Sequence, residues 1–498
     1  MASRRSAPQS LRRPLGGLSS ARFGASSKRR RRAVDNASCG AHFDRAPGLP
    51  AEGLPLAGKD EMLAKRLAQR LSRLGLHYSW VVLAATFVLA MVTAGAMALP
   101  GALLLPLERA FGWSAEDVSA AVAMRMAVFG AMAPFTASLI DRLGLRTVMV
   151  GAAGLIAAGL ALSLTMSQVW QLDLLWGLTV GTGAGLTALA LGAVVAARWF
   201  TARRGLALGV LTAGAAAGQL LFLPLAAWLE REWGWRVALT PTLAALLGAG
   251  ALVALLVADR PADLGLPPYG EANVAPPPSP RRGGELRTLG EIAGSGAFWI
   301  LAATFFICGF STNGLIQTHF IALCSDFDVS AVSAASTLAM MGVFDFVGTI
   351  GSGWLSDRFD NRALLFAYYG LRGLSLIYLP GSSFSIAGLS LFAVFYGLDW
   401  VATVPPTARL AAEAFGRERA GTAFGWIYAA HMAGAATAAY GAGYMRTVLQ
   451  TYMPALYVAG GLCLLAAALV WLIERRPADA TGETRAAAGV NRASPLKS

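Results

Sequence analysis

The sequence predicts an all-α polytopic membrane protein, with twelve transmembrane helices arranged as two pseudo-symmetric six-helix bundles. Three observations predict it. The 498-residue chain is 56% hydrophobic and only 14% charged, whereas an ordinary soluble domain is about one-quarter charged. Apolar stretches recur along it, each long enough to cross roughly 30 Å of hydrocarbon as a helix. A charged cluster interrupts the apolar runs twice, as DRLGLR at 141 and DRFDNR at 357.

The apolar stretches delimit spans one to twelve at 79–105, 117–140, 146–166, 170–196, 205–229, 236–258, 297–323, 331–355, 363–380, 385–408, 420–445 and 452–474. Abundant glycine and alanine suit this reading, because small residues let helices approach closely in lipid. Residues 1–76 are polar and basic, with the run KRRRR at Lys28 to Arg32. Their composition predicts a disordered cytoplasmic N-terminus. An Arg- and Ser-rich transit peptide and a start at Met62 are the other readings. EMLAKRLAQRLSRLG, over 61–75, predicts a short amphipathic helix on the membrane surface. The first bundle then covers 77–258 and the second 297–475. The linker 259–296 contains the Pro-rich YGEANVAPPPSPRRGG and reads as flexible, as does the tail 476–498.

The net charge of +13 does not call for nucleic acid, because basic residues of membrane proteins collect in cytoplasmic loops. Loops on the N-terminal side of the membrane carry fourteen arginines, from Arg142 to Arg419, and the opposite loops only Arg109, Arg231, Arg236 and Arg446. That bias places both termini in the cytoplasm of a plasma-membrane protein. Cys39, Cys308, Cys324 and Cys463 have the spacing of neither a metal site nor a disulfide framework. The chain has no phosphate-cradling P-loop and no HExxH. The Gly-rich GLTVGTGAGLTALALG of span four reads as a helix-packing face. The sequence therefore predicts no enzyme, no cofactor and no metal.

Asp141, Arg142 and Arg146 match Asp357, Arg358 and Arg362 at an offset of 216 residues. The same offset carries Arg203, Gly205, Ala207, Gly209 and Gly218 onto Arg419, Gly421, Ala423, Gly425 and Gly434. Two separated stretches agree on one register, so the halves are parallel repeats related by an axis along the membrane normal. On these residues the chain resembles the major facilitator superfamily. Its monocarboxylate-transporter-like branch, of bacterial type, is suggested by RWFTARRGLALGV, GWRVAL and FYGLDWVATVPPT. LHYSWVVLAATF in span one departs from the animal carriers, lacking their acidic start and lysine. The resemblance implies gating roles for the Asp-Arg loops. Asp141 would face the positive N-terminal end of a helix in the other half, that of span eleven. Arg142, Arg146, Asp357, Arg358 and Arg362 would add charge-assisted contacts.

Ionisable residues at mid-membrane cost about 2.5–3.5 kcal/mol on insertion scales and face a cavity or a partner. Arg125 in span two is a candidate to bind a carboxylate through two parallel hydrogen bonds, unless an acid of the protein pairs with it. Arg372 in span nine reads as structural, paired with Asp345. Asp345 in span eight, Asp399 in span ten and His431 in span eleven are candidates for proton coupling. Burial disfavours a charged carboxylate, and imidazole titrates near neutral pH. Asn313 and Gln317 in span seven share a helix face and are candidate substrate hydrogen-bonders, as is Gln219 in span five. Trp80 and Tyr440 are candidates to pack on apolar substrate parts. The resulting expectation is a monomeric secondary transporter working by alternating access. Its partners are membrane lipid, a small organic anion such as a monocarboxylate, and a proton. A proton-antiport exporter of drugs or metabolites is the alternative, and a non-transporting sensor a weaker one.

Overall fold

A computed structural model describes residues 59–474, apart from Ala188, Ala272 and 274–283. The expectations for the basic N-terminus before residue 59, the C-terminal tail and the Pro-rich centre of the linker lie outside the described residues. The twelve spans are helical, at Ser79–Phe111, Ala115–Leu143, Leu145–Ser163, Val169–Trp199, Arg204–Trp233, Trp235–Leu256, Gly296–Ser325, Ala331–Ser356, Asn361–Ser382, Ile386–Phe415, Arg417–Leu449 and Met453–Leu472. Eleven are long and apolar enough to cross a membrane by composition alone. Span eleven, Arg417–Leu449, is long enough at 33 residues. Its Gly, Ala, Tyr and His431 dilute its apolarity, which suits a helix packed mainly against other helices.

Local chemistry sets the helix ends. Ser114 caps span two in a reciprocal capping box with Asp117, and Ser330, Asp360 and Ser385 cap spans eight, nine and ten. Between spans two and three Gly144 takes φ +90°, and a Cβ there would meet the Asp259 carboxylate, so glycine is needed at this turn. A short amphipathic helix, α1 (Lys59–Arg73), buries Ala64 and Ala68 and packs on span six. A second, α2 (Glu285–Ile292), precedes span seven.

The repeat has a packing basis. A Cβ on Gly218 of span five would overlap the Met91 carbonyl of span one, and one on Gly434 of span eleven the Phe306 carbonyl of span seven. The two glycines are 216 residues apart, so each half brings the same pair of helices into backbone contact at the same place. Between the halves, span two packs along span eleven and span five along span eight.

Candidate functional site

Span ten breaks in mid-membrane because of its own sequence. Pro405 and Pro406 carry no N–H, which frees the carbonyls of Val401 and Ala402, and the helix divides into Ile386–Asp399 and Val404–Phe415. Backbone groups released in apolar surroundings must find partners. Arg372 Nη2 donates to the carbonyls of Asp399 at 2.5 Å and Trp400 at 3.0 Å. Ser352 Oγ donates to the Ala402 carbonyl at 2.5 Å, and the Val404 N–H to the Val401 carbonyl at 2.9 Å. The freed N–H of Val401 donates to Asp345 Oδ1 at 2.9 Å, and the Thr349 hydroxyl donates to the same oxygen at 3.0 Å.

This arrangement corrects one expected pair. Arg372 joins Asp399 at 2.7 Å, not Asp345, and its Nη1 donates to Cys308 Sγ at 2.9 Å. The physical reason is what a break leaves behind: a guanidinium, all donor, serves carbonyls, and a carboxylate, all acceptor, serves an N–H. Asp399 is thereby committed to Arg372 and does not line the cavity described next.

A cavity of about 540 Å³ lies between the halves. It reaches from Arg125 and Asn313 at mid-span to Leu208 and Trp354, near the arginine-rich ends of spans five and eight. At the opposite end the halves meet. Gly101 of span one lies against the Gln317 carbonyl, Gly443 against Ser119, and Tyr440 donates to Glu116 at 2.6 Å.

Arg125, Gln219, Asn313, Gln317, Asp345 and His431 all line this cavity. Arg125 is only 2% exposed, yet among the described residues no acid pairs with it and its Nε has no partner. On the other wall Asn313 Nδ2 donates to Gln317 Oε1 at 2.7 Å, and His431 Nε2 lies 3.1 Å from Asn313 Oδ1. Both amides sit on Phe310–Gln317, a π-helical stretch of span seven; such wide turns recur at functional sites. Gln219 Nε2, Thr93 Oγ1 and His431 Nδ1 also lack partners among the described residues. Sequence reasoning passed over Thr93, Thr86 and Cys308, which line the cavity too. Thr86 and Thr93 are seven residues, two turns, apart on one face of span one, a spacing that could have drawn attention to them.

Two candidates fall elsewhere. Trp80 packs edge-on against Phe200 at 5.2 Å and Tyr269 at 5.6 Å, where the start of the linker docks on the first half. Tyr440 is 43% exposed and bonded to Glu116. Neither lines the cavity: Trp80 sits at the first turn of span one, and Tyr440 at the end where the halves meet. His319 of span seven is buried and lies 2.9 Å from the Ala439 carbonyl.

The Asp-Arg loops also differ from expectation. Asp141 accepts from Arg198 of its own half at 2.5 Å, rather than facing span eleven. Its repeat partner Asp357 accepts from Arg409, likewise within one half. Arg362 joins Asp360 at 2.9 Å and donates to the Ile473 carbonyl, Arg358 stacks on Trp354, and the Arg146 N–H donates to Asp259. These contacts stay within a half because nearby arginines in the same bundle satisfy the acids first. Across the halves the arginine-rich face is joined through α2. Ser138 of span two donates to the Glu285 carboxylate, and Trp426 Nε1 of span eleven to the Glu285 carbonyl at 3.2 Å. Burial alone would push the Glu285 carboxyl up. Hydrogen bonds from Ser138 and nearby backbone, with the charge of Arg142, hold it below its usual range instead.

The sequence profile of the Major Facilitator Superfamily matches residues 85–439 and 353–497. The chain belongs to the Major Facilitator Superfamily. It is accordingly a multi-pass membrane secondary transporter and not an enzyme. This major facilitator is 28% identical over 403 residues to the uncharacterized MFS-type transporter YcxA of Bacillus subtilis (strain 168), covering 80% of this chain and 95% of that protein. It is 28% identical over 391 residues to monocarboxylate transporter 13 of Rattus norvegicus, covering 78% of this chain and 87% of that protein. In fold it is similar to a D-xylose-proton symporter, with TM-score 0.64 at 15% identity over 80% of this chain and 98% of that one. A bacterial homolog of the human lysosomal transporter Spinster, inward-facing and unoccupied, matches equally well at 14% identity, covering 80% of this chain and 99% of that one.

Proposed function

We propose that this major facilitator moves a small organic anion such as a monocarboxylate together with a proton, by alternating access, across a plasma membrane with both termini cytoplasmic. The observation that carries the reading is Arg125, a buried guanidinium with no acid paired to it among the described residues, lining the cavity between the halves. An uncompensated buried charge is costly, and a substrate carboxylate held through two parallel bonds offsets that cost. The similarity to a monocarboxylate transporter supports the same substrate class.

Asp345 is the proposed proton acceptor, with His431, which also lines the cavity, as a second candidate. As a carboxylate, Asp345 holds the Val401 N–H at the break of span ten. Hydrogen bonds to ionised groups are roughly twice as strong as neutral ones, so protonation loosens the tie between spans eight and ten. Anion on Arg125 and proton on Asp345 together enter without net charge, which favours reorientation of the loaded carrier. Reorientation of the loaded carrier then parts the halves at the opposite end, separating Tyr440 from Glu116 and Gly443 from Ser119. Asp141 and its repeat partner brace the loops within each half.

Uptake of a radiolabelled carboxylate into proteoliposomes under an imposed pH gradient tests the reading. Accumulation driven by external acid is expected, and Arg125→Gln should remove it. Gradient-independent equilibration, or full activity in the variant, would overturn it.

A further inference from the structure

The cavity is far larger than a three-carbon acid needs. At about 540 Å³ it falls within the roughly 300–1,000 Å³ typical of sites for drug-sized ligands. Polar side chains from both halves line it, and most of the remaining wall is apolar. One part of that wall is a ring cluster assembled from both halves. Phe129 lies one helical turn from Arg125 on span two. Its ring is 6.1 Å from that of Tyr428 on span eleven. Phe305 of span seven sits 4.7 Å from His431 and 6.4 Å from Tyr428, and Tyr428 stacks on His431 at 5.4 Å. All four rings line the cavity. Met126 and Met432 border them, and methionines adapt to irregular apolar shapes.

We infer that the substrate is an amphipathic carboxylate with a ring-sized apolar body: its carboxylate on Arg125, its body against the wall where Phe129 and Tyr428 meet, with the buried Phe305 packed behind Tyr428. This inference rests on the anion reading above. A two- or three-carbon acid would engage the guanidinium and leave the apolar wall of the cavity in water. A larger body covers that wall, and burial is worth about fourfold in affinity per methylene. Because the rings come from both halves, a bulky body touches both at once, whereas a short acid touches chiefly the first. Ring contacts thus tie the substrate to the movement of one half over the other.

The test is ligand binding by calorimetry to the purified full-length protein, with propionate, 3-phenylpropionate and the neutral 3-phenylpropanamide as probes. The expected result is 3-phenylpropionate at least tenfold tighter than propionate, with the amide weak. Arg125→Gln should erase the preference for acid over amide. Tyr428→Ala and Phe129→Ala should each narrow the phenylpropionate-to-propionate ratio by about threefold to tenfold, as aromatic pairing contributes. Should a variant fail to fold, the series of straight-chain acids on the unaltered protein gives the same slope. Propionate binding as tightly as phenylpropionate overturns the inference and leaves the anion reading standing. An amide as tight as the acid, or no binding by either acid, overturns both.

Discussion

Replacing Arg372 with methionine tests whether the break in span ten is held together as the geometry indicates. Methionine fills similar space and donates nothing. The side chain now makes four hydrogen bonds: to the Asp399 carboxylate, to the carbonyls of Asp399 and Trp400, and to Cys308 Sγ. At about 0.6 kcal/mol for each bond in a membrane protein, their loss costs roughly 2.4 kcal/mol. Asp399 is left buried without its partner, which brings the loss to about 3–5 kcal/mol. Unfolding in a graded mixture of mild and denaturing detergent, followed by tryptophan fluorescence, reads that loss directly. A second variant separates charge from backbone. Arg372→Met with Asp399→Leu removes the unpaired carboxylate, so stability should recover in part. It should not recover fully, because two freed carbonyls still lack donors, at about 1–3 kcal/mol each. A single variant within about 0.5 kcal/mol of the unaltered protein would refute the clamp. Full recovery in the double variant would refute the carbonyl accounting.

Other outcomes follow from the same geometry. Asp345→Asn should abolish accumulation driven by a pH gradient while permitting substrate exchange, measured as counterflow in preloaded vesicles. Normal gradient-driven accumulation would remove Asp345 as the proton acceptor. Gly348→Ala should cut the yield of monodisperse protein on size exclusion, since its Cβ would overlap the Leu398 carbonyl of span ten. Gly351→Ala, with open space around it, should hold or gain about 1 kcal/mol from helix propensity. Glu285→Ala removes the acceptor for Ser138 and the charge near Arg142. It should raise the labelling rate of a cysteine placed at Phe135, whose ring lies against Trp426 across the halves, whereas an unchanged rate would deny α2 a role in joining the halves at that face.

The helical passages were legible because lipid imposes a simple rule: a span must be long, apolar and internally hydrogen-bonded. That rule placed the ends of nearly every span within a few residues, and the break of span ten is carried by its own adjacent Pro405 and Pro406. The repeat was legible because the two halves meet the same packing demand at Gly218 and Gly434. Arg125, Gln219, Asn313, Gln317, Asp345 and His431 were recognisable as cavity candidates because polar side chains in a membrane helix need somewhere polar to go. Trp80 and Tyr440 were misplaced because aromatic rings carry no such obligation and are at home in several surroundings.

The order of spans, the doubling of the chain and the identity of the costly buried charges are therefore properties of the linear sequence, since each follows from one helix considered alone against lipid. Who meets whom is decided only in three dimensions. Arg372 pairs with Asp399, Asp141 with Arg198, and Phe129 meets Tyr428 because separate helices settle against one another at particular rotations and depths. Periodicity states which residues share a face of one helix; it says nothing of which other helix that face will touch.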